Sequence, residues 1–164
     1  MEVIRAPQTE PAVIDAVMDL LAAVGKKPVR VNQDIPGFLG NRMQHALWRE
    51  AISLVEHGVA SPEDVDAVVR YGFGLRLAYL GPLQTADLAG LTLTRDVHLD
   101  LLPELDCSQA PSLLLEEKIR AGHLGAKSGQ GFHTWHPERL RAVVDNREKV
   151  LLKILREVLP GEES

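Results

Sequence analysis

A series of helix boundaries between residues 34 and 91 constrains the fold more than any other feature of this sequence. Pro36-Gly37 interrupts the chain, and the mainly apolar run Phe38–His57 follows it and stops at Gly58. Ser61 then stands at an expected helix N-cap, with proline at the first helical position and acidic residues in the first turn. The stretch therefore predicts two consecutive helices joined by a short turn, which indicates a mainly helical protein.

The remainder of the chain continues this helical pattern. Gly72-Phe73-Gly74 is predicted to be a flexible turn, and Gly81-Pro82 is predicted to open the next helix. Further helices are expected at residues 93–102, 112–121 and 137–159, with the glycine-rich loop Gly122–Phe132 before the last of them.

The first residues of the chain have a different pattern. Met1–Pro7 alternates β-branched and charged residues, and Val29–Val31 is a second β-branched run, so both are predicted to be short strands. Between them, Thr9 is the expected N-cap of a helix that stops at Gly25, a residue suited to the left-handed conformation. This β-α-β unit is too small to be a domain. Its first strand is expected to present an unpaired edge, either frayed or paired with another copy.

The helix predicted from Phe38 has an apolar surface that is wider than one side of a small bundle requires. A single polar stripe follows it, and almost all other positions are apolar; the stripe is Arg42, His45, Arg49, Ser53 and Glu56. Because an apolar surface of this width must be covered on several sides, the helix is either the centre of a bundle or, in part, a subunit interface.

Composition excludes several classes of protein. The 164 residues are 45% apolar and 25% charged, which is typical of one soluble globular domain that can bury a core. With 18 basic and 23 acidic residues, neither a nucleic acid nor an anionic membrane is expected as partner. No secretory signal and no apolar run near the ~18 residues of a membrane span are present, so a cytoplasmic location is expected.

Cysteine and histidine give two candidate sites. Cys107 lies beside Asp106 and is either a nucleophile or an inert thiol, and no neighbouring basic group is apparent that would favour its thiolate. His133 and His136 form an HxxH segment, a spacing that can share a metal ion. No further cysteine or histidine falls nearby at ligand spacing, so no metal site is predicted.

The glycine clusters do not match a nucleotide-binding motif. No strand–GxGxxG–helix unit with a following acid occurs, so no cofactor is expected on this chain. The segment Gly125–Gly131, GAKSGQG, misses the P-loop pattern because Ala126 replaces the glycine before Lys127. Its glycines are interpreted as capping and close-packing positions, with phosphate binding as the alternative.

Three motifs together resemble a known family. They are VNQDIPGFLGNRMQHALWREAISLVEHGVASPEDVDAVVRYGFG, YGFGLRLAYLGPLQTADLAGL and GAKSGQGF. They resemble the C-terminal domain of the NAD-dependent L-3-hydroxyacyl-CoA dehydrogenases, including 3-hydroxybutyryl-CoA and L-gulonate dehydrogenases and lambda-crystallin. Thr92 and His133 depart from the family pattern, which commonly has Asp and Tyr there. The resemblance implies a mainly α fold: a helical bundle of the 6-phosphogluconate dehydrogenase C-terminal-like type over residues 32–164, preceded by a β-α-β remnant of a Rossmann domain over residues 1–31.

The resemblance also assigns two site residues. In the family, a histidine of the nucleotide-binding domain takes the proton of the substrate hydroxyl, and a glutamate in a (V/M)EV(I/V) strand orients that histidine. Glu2 in MEVI matches the glutamate, but the histidine is not in this sequence, so Glu2 is expected to be an exposed strand-end acid without a partner. Asn41 in PGFLGNR matches an asparagine that positions the substrate carbonyl or the histidine. The alternative is that Asn41 and Arg42 tie the first helical turn to the preceding loop.

The resemblance therefore predicts the substrate-side and dimerisation domain of an NAD-dependent oxidoreductase of fatty acid metabolism. Its substrate would be an L-3-hydroxyacyl-CoA or a related 3-hydroxy acid. Without the nucleotide-binding domain and its histidine, the chain alone is expected to be inactive. The expected partners are a second copy, a separate Rossmann NAD-binding domain or subunit, and an acyl-CoA-type substrate. The alternative function is a non-catalytic helical assembly module derived from the same family.

Overall fold

The computed structural model describes residues 1–158 and divides the chain into two compact units, Met1–Trp48 and a second that begins at Arg49. The described residues form eight α-helices and one two-stranded sheet, which confirms the mainly α fold. In chain order the elements are β1 (Glu2–Ile4), α1 (Pro11–Ala23), β2 (Val29–Val31), α2 (Gly40–Glu56), α3 (Pro62–Tyr71), α4 (Phe73–Leu77), α5 (Pro82–Ala89), α6 (Leu91–Leu101), α7 (Leu113–Arg120) and α8 (Pro137–Val158). None of the helices within residues 1–158 has both the length and the apolar character needed to cross a bilayer.

The first unit contains the β-α-β arrangement predicted from its sequence. Strands β1 and β2 are parallel neighbours, with Ile4 opposite Val31. Ile14 of α1 and Val31 are its buried residues, each 4% exposed, and Arg30 of β2 forms an ion pair with Asp15 of α1. Strand β1 is therefore not frayed, because β2 of the same chain pairs with one of its edges. Pairing of its other edge with a second copy stays a prediction.

The N-cap of helix α1 lies one position later than predicted. Glu10, not Thr9, is the N-cap, with φ −65° and ψ 143°. The reason is Pro11, whose ring disfavours the helical conformation of the residue before it and suits the first helical position itself. Gly25 has φ 74°, which confirms the predicted left-handed stop.

Helix α2 begins at Gly40 and not at Phe38 because the chain turns sharply just before it. The amide of Phe38 donates to the carbonyl of Ile35 at 3.0 Å, with Gly37 at φ 80° inside this turn. Phe38 itself has φ 49°, a left-handed conformation that cannot continue into a helix. Gly58, at φ 69°, follows the end of α2 as predicted.

The glycines at residues 72–74 do not form the flexible turn predicted for them. Helix α4 starts at Phe73, and α3 and α4 pack directly against each other. A Cβ atom on Gly74 would lie 2.5 Å from the carbonyl oxygen of Val69, and one on Gly72 would overlap the carbonyl oxygen of Val68. These glycines therefore permit close approach between two helices, and their role is packing rather than mobility.

The remaining helix boundaries follow local signals. Ser61 caps α3 and Ser112 caps α7, each accepting a hydrogen bond from a first-turn amide at 3.1 Å. Helix α6 starts at Leu91, slightly earlier than predicted, and the predicted end of the last helix at Leu159 lies outside the described residues.

The second unit buries few of its apolar side chains. None of its described residues is fully buried, and Leu83 of α5 and Leu88 of the same helix are 80% and 74% exposed. A domain with 45% apolar residues normally buries more of them. The described part of this unit therefore leaves much apolar surface uncovered.

Candidate functional site

The carboxylate of Glu2 is bound to the start of α2. Its Oε1 atom accepts hydrogen bonds from the amides of Gly40 at 2.8 Å and Leu39 at 3.1 Å. The first amides of a helix lack partners within the helix, and the positive end of the helix dipole favours an anion at this position. Glu2 is half-buried, so the expectation of an exposed acid without a partner is wrong.

Asn41 is placed beside this contact. It follows Gly40 in the first turn of α2 and its side chain is exposed. Within residues 1–158 the Asn41 amide makes no hydrogen bond, whereas Arg42 Nη1 donates to the carbonyl of Pro36 at 3.3 Å. The tie between the helix and the preceding loop is thus made by Arg42. The structure brings Glu2 and Asn41 to the same helix end and leaves the Asn41 amide open to solvent.

The second half of α2 organises a loop of the second unit. Arg49, Glu50 and Glu56 hydrogen-bond the backbone of residues 106–114, at 3.3, 2.8 and 2.9 Å respectively. The Glu56 carboxylate accepts from the amide of Leu114 and so supplements the cap of α7. Sequence reasoning missed the role of Glu50, because no local pattern says which distant amide a helix carboxylate will meet.

Cys107 lies at the edge of a hollow of ≈ 690 Å³ that Ser53 and His57 also line. His57 Nδ1 lies 2.8 Å from the carbonyl oxygen of Ser53, which agrees with an imidazole at a helix C-terminus. The amide and hydroxyl of Ser108, followed by the positive charge of Arg49, hold the pKa of Asp106 below its ordinary value of 3.8. Cys107 itself is a free cysteine, and its side chain is exposed.

His133 is clamped between two carboxylates of α3. Its Nδ1 lies 3.1 Å from Glu63 Oε1, its Nε2 lies 2.9 Å from Asp66 Oδ2, and its side chain is only 16% exposed. An ionised carboxylate only accepts, so both contacts are hydrogen bonds only when both ring nitrogens carry protons. The pKa of Glu63 is lowered by its own backbone amide and then by the hydrogen bond from His133.

The contacts of His133 favour a structural role for the HxxH segment over metal binding. Both nitrogens of His133 face carboxylates of α3, while His136 is exposed. Within residues 1–158, no three or more His, Cys, Asp and Glu side chains are grouped so that they could hold a metal ion. The arrangement fits a structural link between α3 and the loop before α8. Sequence reasoning missed it because His133 lies far along the chain from α3.

The glycine-rich loop packs closely on itself. The amide of Gly125 donates to the carbonyl of Gln130 at 2.8 Å, and a Cβ atom on Gly131 would lie 2.7 Å from the Cα atom of Gly125. Lys118 Nζ donates to the carbonyl of Gly131 at 3.1 Å and lies 5.2 Å from the centre of the Phe132 ring. The loop thus uses these polar groups internally, which supports close packing as the role of its glycines over phosphate binding.

Comparison with known proteins gives a family match and several relatives. A family model described as 3-hydroxyacyl-CoA dehydrogenase, C-terminal domain, matches residues 37–135. A 5-formyl-3-hydroxy-2-methylpyridine 4-carboxylate 5-dehydrogenase of Mesorhizobium japonicum is 37% identical over 99% of this chain and 52% of its own length. An L-carnitine dehydrogenase of Burkholderia mallei is 40% identical over 55% of this chain and 28% of its own length. Lambda-crystallin of Oryctolagus cuniculus is 44% identical over 54% of this chain and 28% of its own length.

Solved structures agree with these matches. A crystal structure of a 5-formyl-3-hydroxy-2-methylpyridine 4-carboxylic acid 5-dehydrogenase, an NAD⁺-dependent dismutase, superposes with a TM-score of 0.93 and 37% identity, over 98% of this chain and 52% of that one. The 3-hydroxyacyl-CoA dehydrogenase of Archaeoglobus fulgidus superposes with a TM-score of 0.56 and 29% identity, over 93% of this chain and 53% of that one. The chain spans about half the length of these solved relatives.

Proposed function

We propose that this chain, which belongs to the 3-hydroxyacyl-CoA dehydrogenase family through its C-terminal domain, is the substrate-side and dimerisation part of an NAD-dependent oxidoreductase. The observation that carries the proposal is that Glu2 binds the amide of Gly40, the residue before Asn41, at the start of α2. Asn41 lies within the matched residues 37–135, and Glu2 lies outside them. Two residues that the family resemblance pairs for one reaction lie far apart in the sequence, yet they share one helix end.

Glu2 is held in a way that suits a positioning residue. Two amides fix its Oε1 atom, while its Oε2 atom makes no hydrogen bond to any residue that the structure describes. A carboxylate with one fixed oxygen and one free oxygen can accept a hydrogen bond from an imidazole N–H and thereby select that histidine's tautomer. In the proposed enzyme, the histidine comes from the nucleotide-binding domain.

Asn41 has the complementary property. Its amide offers one acceptor and two donor hydrogens, and these are free within residues 1–158. In the proposed enzyme this amide orients the reacting oxygen of the substrate or the imidazole beside it. A neutral amide suits this role because it does not add charge to a site in which a proton moves.

NAD would accept or donate the hydride in such an enzyme, but the residues of this chain do not fit it. No GxGxxG unit follows either β1 or β2, and the glycine-rich loop uses the amides of Gly125 and Gly131 for its own hydrogen bonds. The nucleotide is therefore proposed to bind residues outside this chain. It follows that the 164-residue chain alone should not catalyse oxidation or reduction.

The relatives support two substrate classes. The relative matched over 99% of the chain is a dehydrogenase whose name specifies a formyl group on a hydroxypyridine carboxylate, and the solved structure of such an enzyme has a TM-score of 0.93. A small aromatic or aliphatic carboxylate with a formyl or hydroxyl group is therefore the substrate class that we favour. An L-3-hydroxyacyl-CoA is the second candidate, supported by the family match itself.

The first experiment measures NAD(H) turnover with the chain alone and with a separately produced nucleotide-binding domain of a full-length relative. Acetoacetyl-CoA with NADH and 5-formyl-3-hydroxy-2-methylpyridine 4-carboxylate with NAD⁺ are the two substrates. Activity is expected only in the mixture. An Asn41→Ala variant should lose about 10- to 100-fold in kcat, as expected when a reacting group is misplaced.

Gln44→Ala, an exposed change on the same helix, is the matched control and should retain activity. Turnover by the chain alone would refute the proposed dependence on a nucleotide-binding domain. No turnover in a mixture that contains both folded proteins would favour the second candidate function, a helical assembly module without catalysis.

A further inference from the structure

Helix α8 lies outside the matched family domain and has few contacts with the rest of its own chain. The family match ends at Trp135, and α8 starts at Pro137. Its first turn is held by Arg139, which donates to the carbonyl of Thr134 at 3.1 Å and lies 5.6 Å from the centre of the Trp135 ring. Beyond that turn, the described side chains of α8 make no hydrogen bond or ion pair, and no other described helix or strand packs extensively along it.

One face of α8 is an apolar stripe. Its members recur at helical spacing and are Leu140, Val143, Val144, Val150, Leu151, Ile154 and Leu155. One charged residue, Arg147, lies on the same face between Val144 and Val150. Five of the seven are between 37% and 52% exposed. A helix of 22 residues is about 33 Å long, so a stripe about 10 Å wide presents on the order of 300 Å² of apolar surface. This area lies at the lower end of the largest apolar patches on soluble monomers, and such patches are often functional.

A second uncovered surface lies on residues 73–106. Large apolar side chains on α4, α5 and α6 are more than 60% exposed there, among them Leu75, Leu83, Leu88, Leu91 and Leu99. This segment, called the 73–106 surface below, contains five acidic and two basic residues. Helix α8 has the opposite balance, with six basic and four acidic residues. The two surfaces are therefore complementary both in apolar character and in charge.

We propose that α8 is an exchanged arm that lies on the 73–106 surface of a second copy of this chain, while the partner's α8 lies on its own 73–106 surface. The partner copy is the one expected from the proposed dimerisation role, and the inference adds the surfaces that form the contact. Direct pairing of two α8 helices is disfavoured because it would bring two basic helices together. Two arms and two receiving surfaces bury about 1,200 Å² in total, which reaches the range of specific interfaces.

The apolar stripe can be tested with matched variants of the full chain. Val144→Gln with Leu151→Gln removes two apolar members of the stripe and keeps good helix formers. Asp145→Gln with Lys149→Gln changes the opposite face by the same number of residues, and both double variants leave the formal net charge unchanged. Sedimentation equilibrium gives the dimer dissociation constant, and circular dichroism verifies that helix content is retained.

The stripe variant should weaken the dimer by about 100-fold or more, because both arms lose two buried aliphatic side chains. The opposite-face control should remain within about 3-fold of the unmodified chain, the scatter expected for a surface change. A further double variant changes the 73–106 surface and leaves α8 intact. Asp87→Lys with Asp100→Lys should weaken the dimer by about 10-fold at low salt and less at high salt.

Hydrogen exchange identifies where the arm lies. In the unmodified dimer, protection is expected on both α8 and the 73–106 surface, and the stripe variant should lose it from both. Loss on α8 alone would indicate α8–α8 pairing and would overturn the proposal. An unchanged dissociation constant in the stripe variant would also overturn the proposal, although it would not contradict dimerisation. A monomeric unmodified chain would refute the arm and the dimerisation role together, without affecting the result of the NAD(H) assays.

Discussion

The carboxylate oxygen of Glu2 lies 2.8 Å from the amide nitrogen of Gly40, although 38 residues separate the two in the chain. This hydrogen bond joins β1 to the first turn of α2. It gives Glu2 a structural role that is independent of catalysis, because a carboxylate at a helix N-terminus satisfies amides that would otherwise lack partners. The same contact fixes one Glu2 oxygen in the position from which the other could orient a histidine.

Replacing Glu2 should therefore destabilise the chain even in the absence of a nucleotide-binding domain. Glu2→Ala should lower the free energy of unfolding by about 1 kcal/mol, the usual loss for a helix cap. Glu2→Gln should lose less, because its amide oxygen still accepts. Urea unfolding at constant protein concentration measures the change. Glu10→Ala is the control, since Glu10 occupies the N-cap of α1 without a side-chain hydrogen bond. An equal loss in both alanine variants would contradict the capping role.

The contacts of His133 with Glu63 and Asp66 predict that replacing His133 destabilises the protein more than replacing the nearby His136. His133→Ala removes two contacts to α3 and should cost about 1 kcal/mol, a value reduced from that of a buried charged hydrogen bond because both carboxylates are exposed. His136→Ala should change stability by less than about 0.5 kcal/mol, since His136 is exposed. Thermal unfolding of the two variants compares them directly. If His136 proved as sensitive as His133, the clamp would not be the stabilising feature of this segment.

The lowered pKa of Glu63 predicts an acid-dependent loss of stability. A carboxyl group whose pKa is lower in the folded state stabilises the fold fully above its ordinary pKa, here 4.5. That contribution disappears as the pH falls through the lowered value. The difference in urea midpoint between the unmodified chain and Glu63→Gln should therefore be largest at pH 6 and should narrow towards pH 3. When both proteins also carry His133→Ala, the difference in urea midpoint should decrease less between pH 6 and pH 3. An equal decrease would show that His133 does not contribute to the lowered pKa of Glu63.

The close packing of the glycine-rich loop predicts that replacement by alanine destabilises the protein much more at Gly131 than at Gly40. A Cβ atom on Gly131 would lie 2.7 Å from Gly125 Cα, so Gly131→Ala should cost about 1–3 kcal/mol by displacing backbone. Gly40→Ala is the control, because its Cβ atom would lie 3.7 Å from the Glu2 carboxylate and alanine favours a helix. Equilibrium unfolding of both variants gives the comparison. A Gly131 variant as stable as the control would mean that the loop can open without cost.

Local chemistry predicted most of the secondary structure of this protein. Ser61 and Ser112 cap their helices, and Gly25 and Gly58 stop theirs, because each of these effects depends on a few adjacent residues. One boundary error arose where two local signals competed. Pro11 moved the start of α1 by restricting the residue before it.

The sequence alone also determined the family, since its motifs are runs of consecutive residues and the family model matches residues 37–135. What only the tertiary structure decided is which distant groups meet. Glu2 binds the amide of Gly40, and His133 lies between Glu63 and Asp66. Gly74 serves the close approach of α4 to α3 rather than flexibility. The physical reason is that hydrogen bonds and steric contacts act over a few ångströms in space, and separation along the chain does not specify which groups come within that distance.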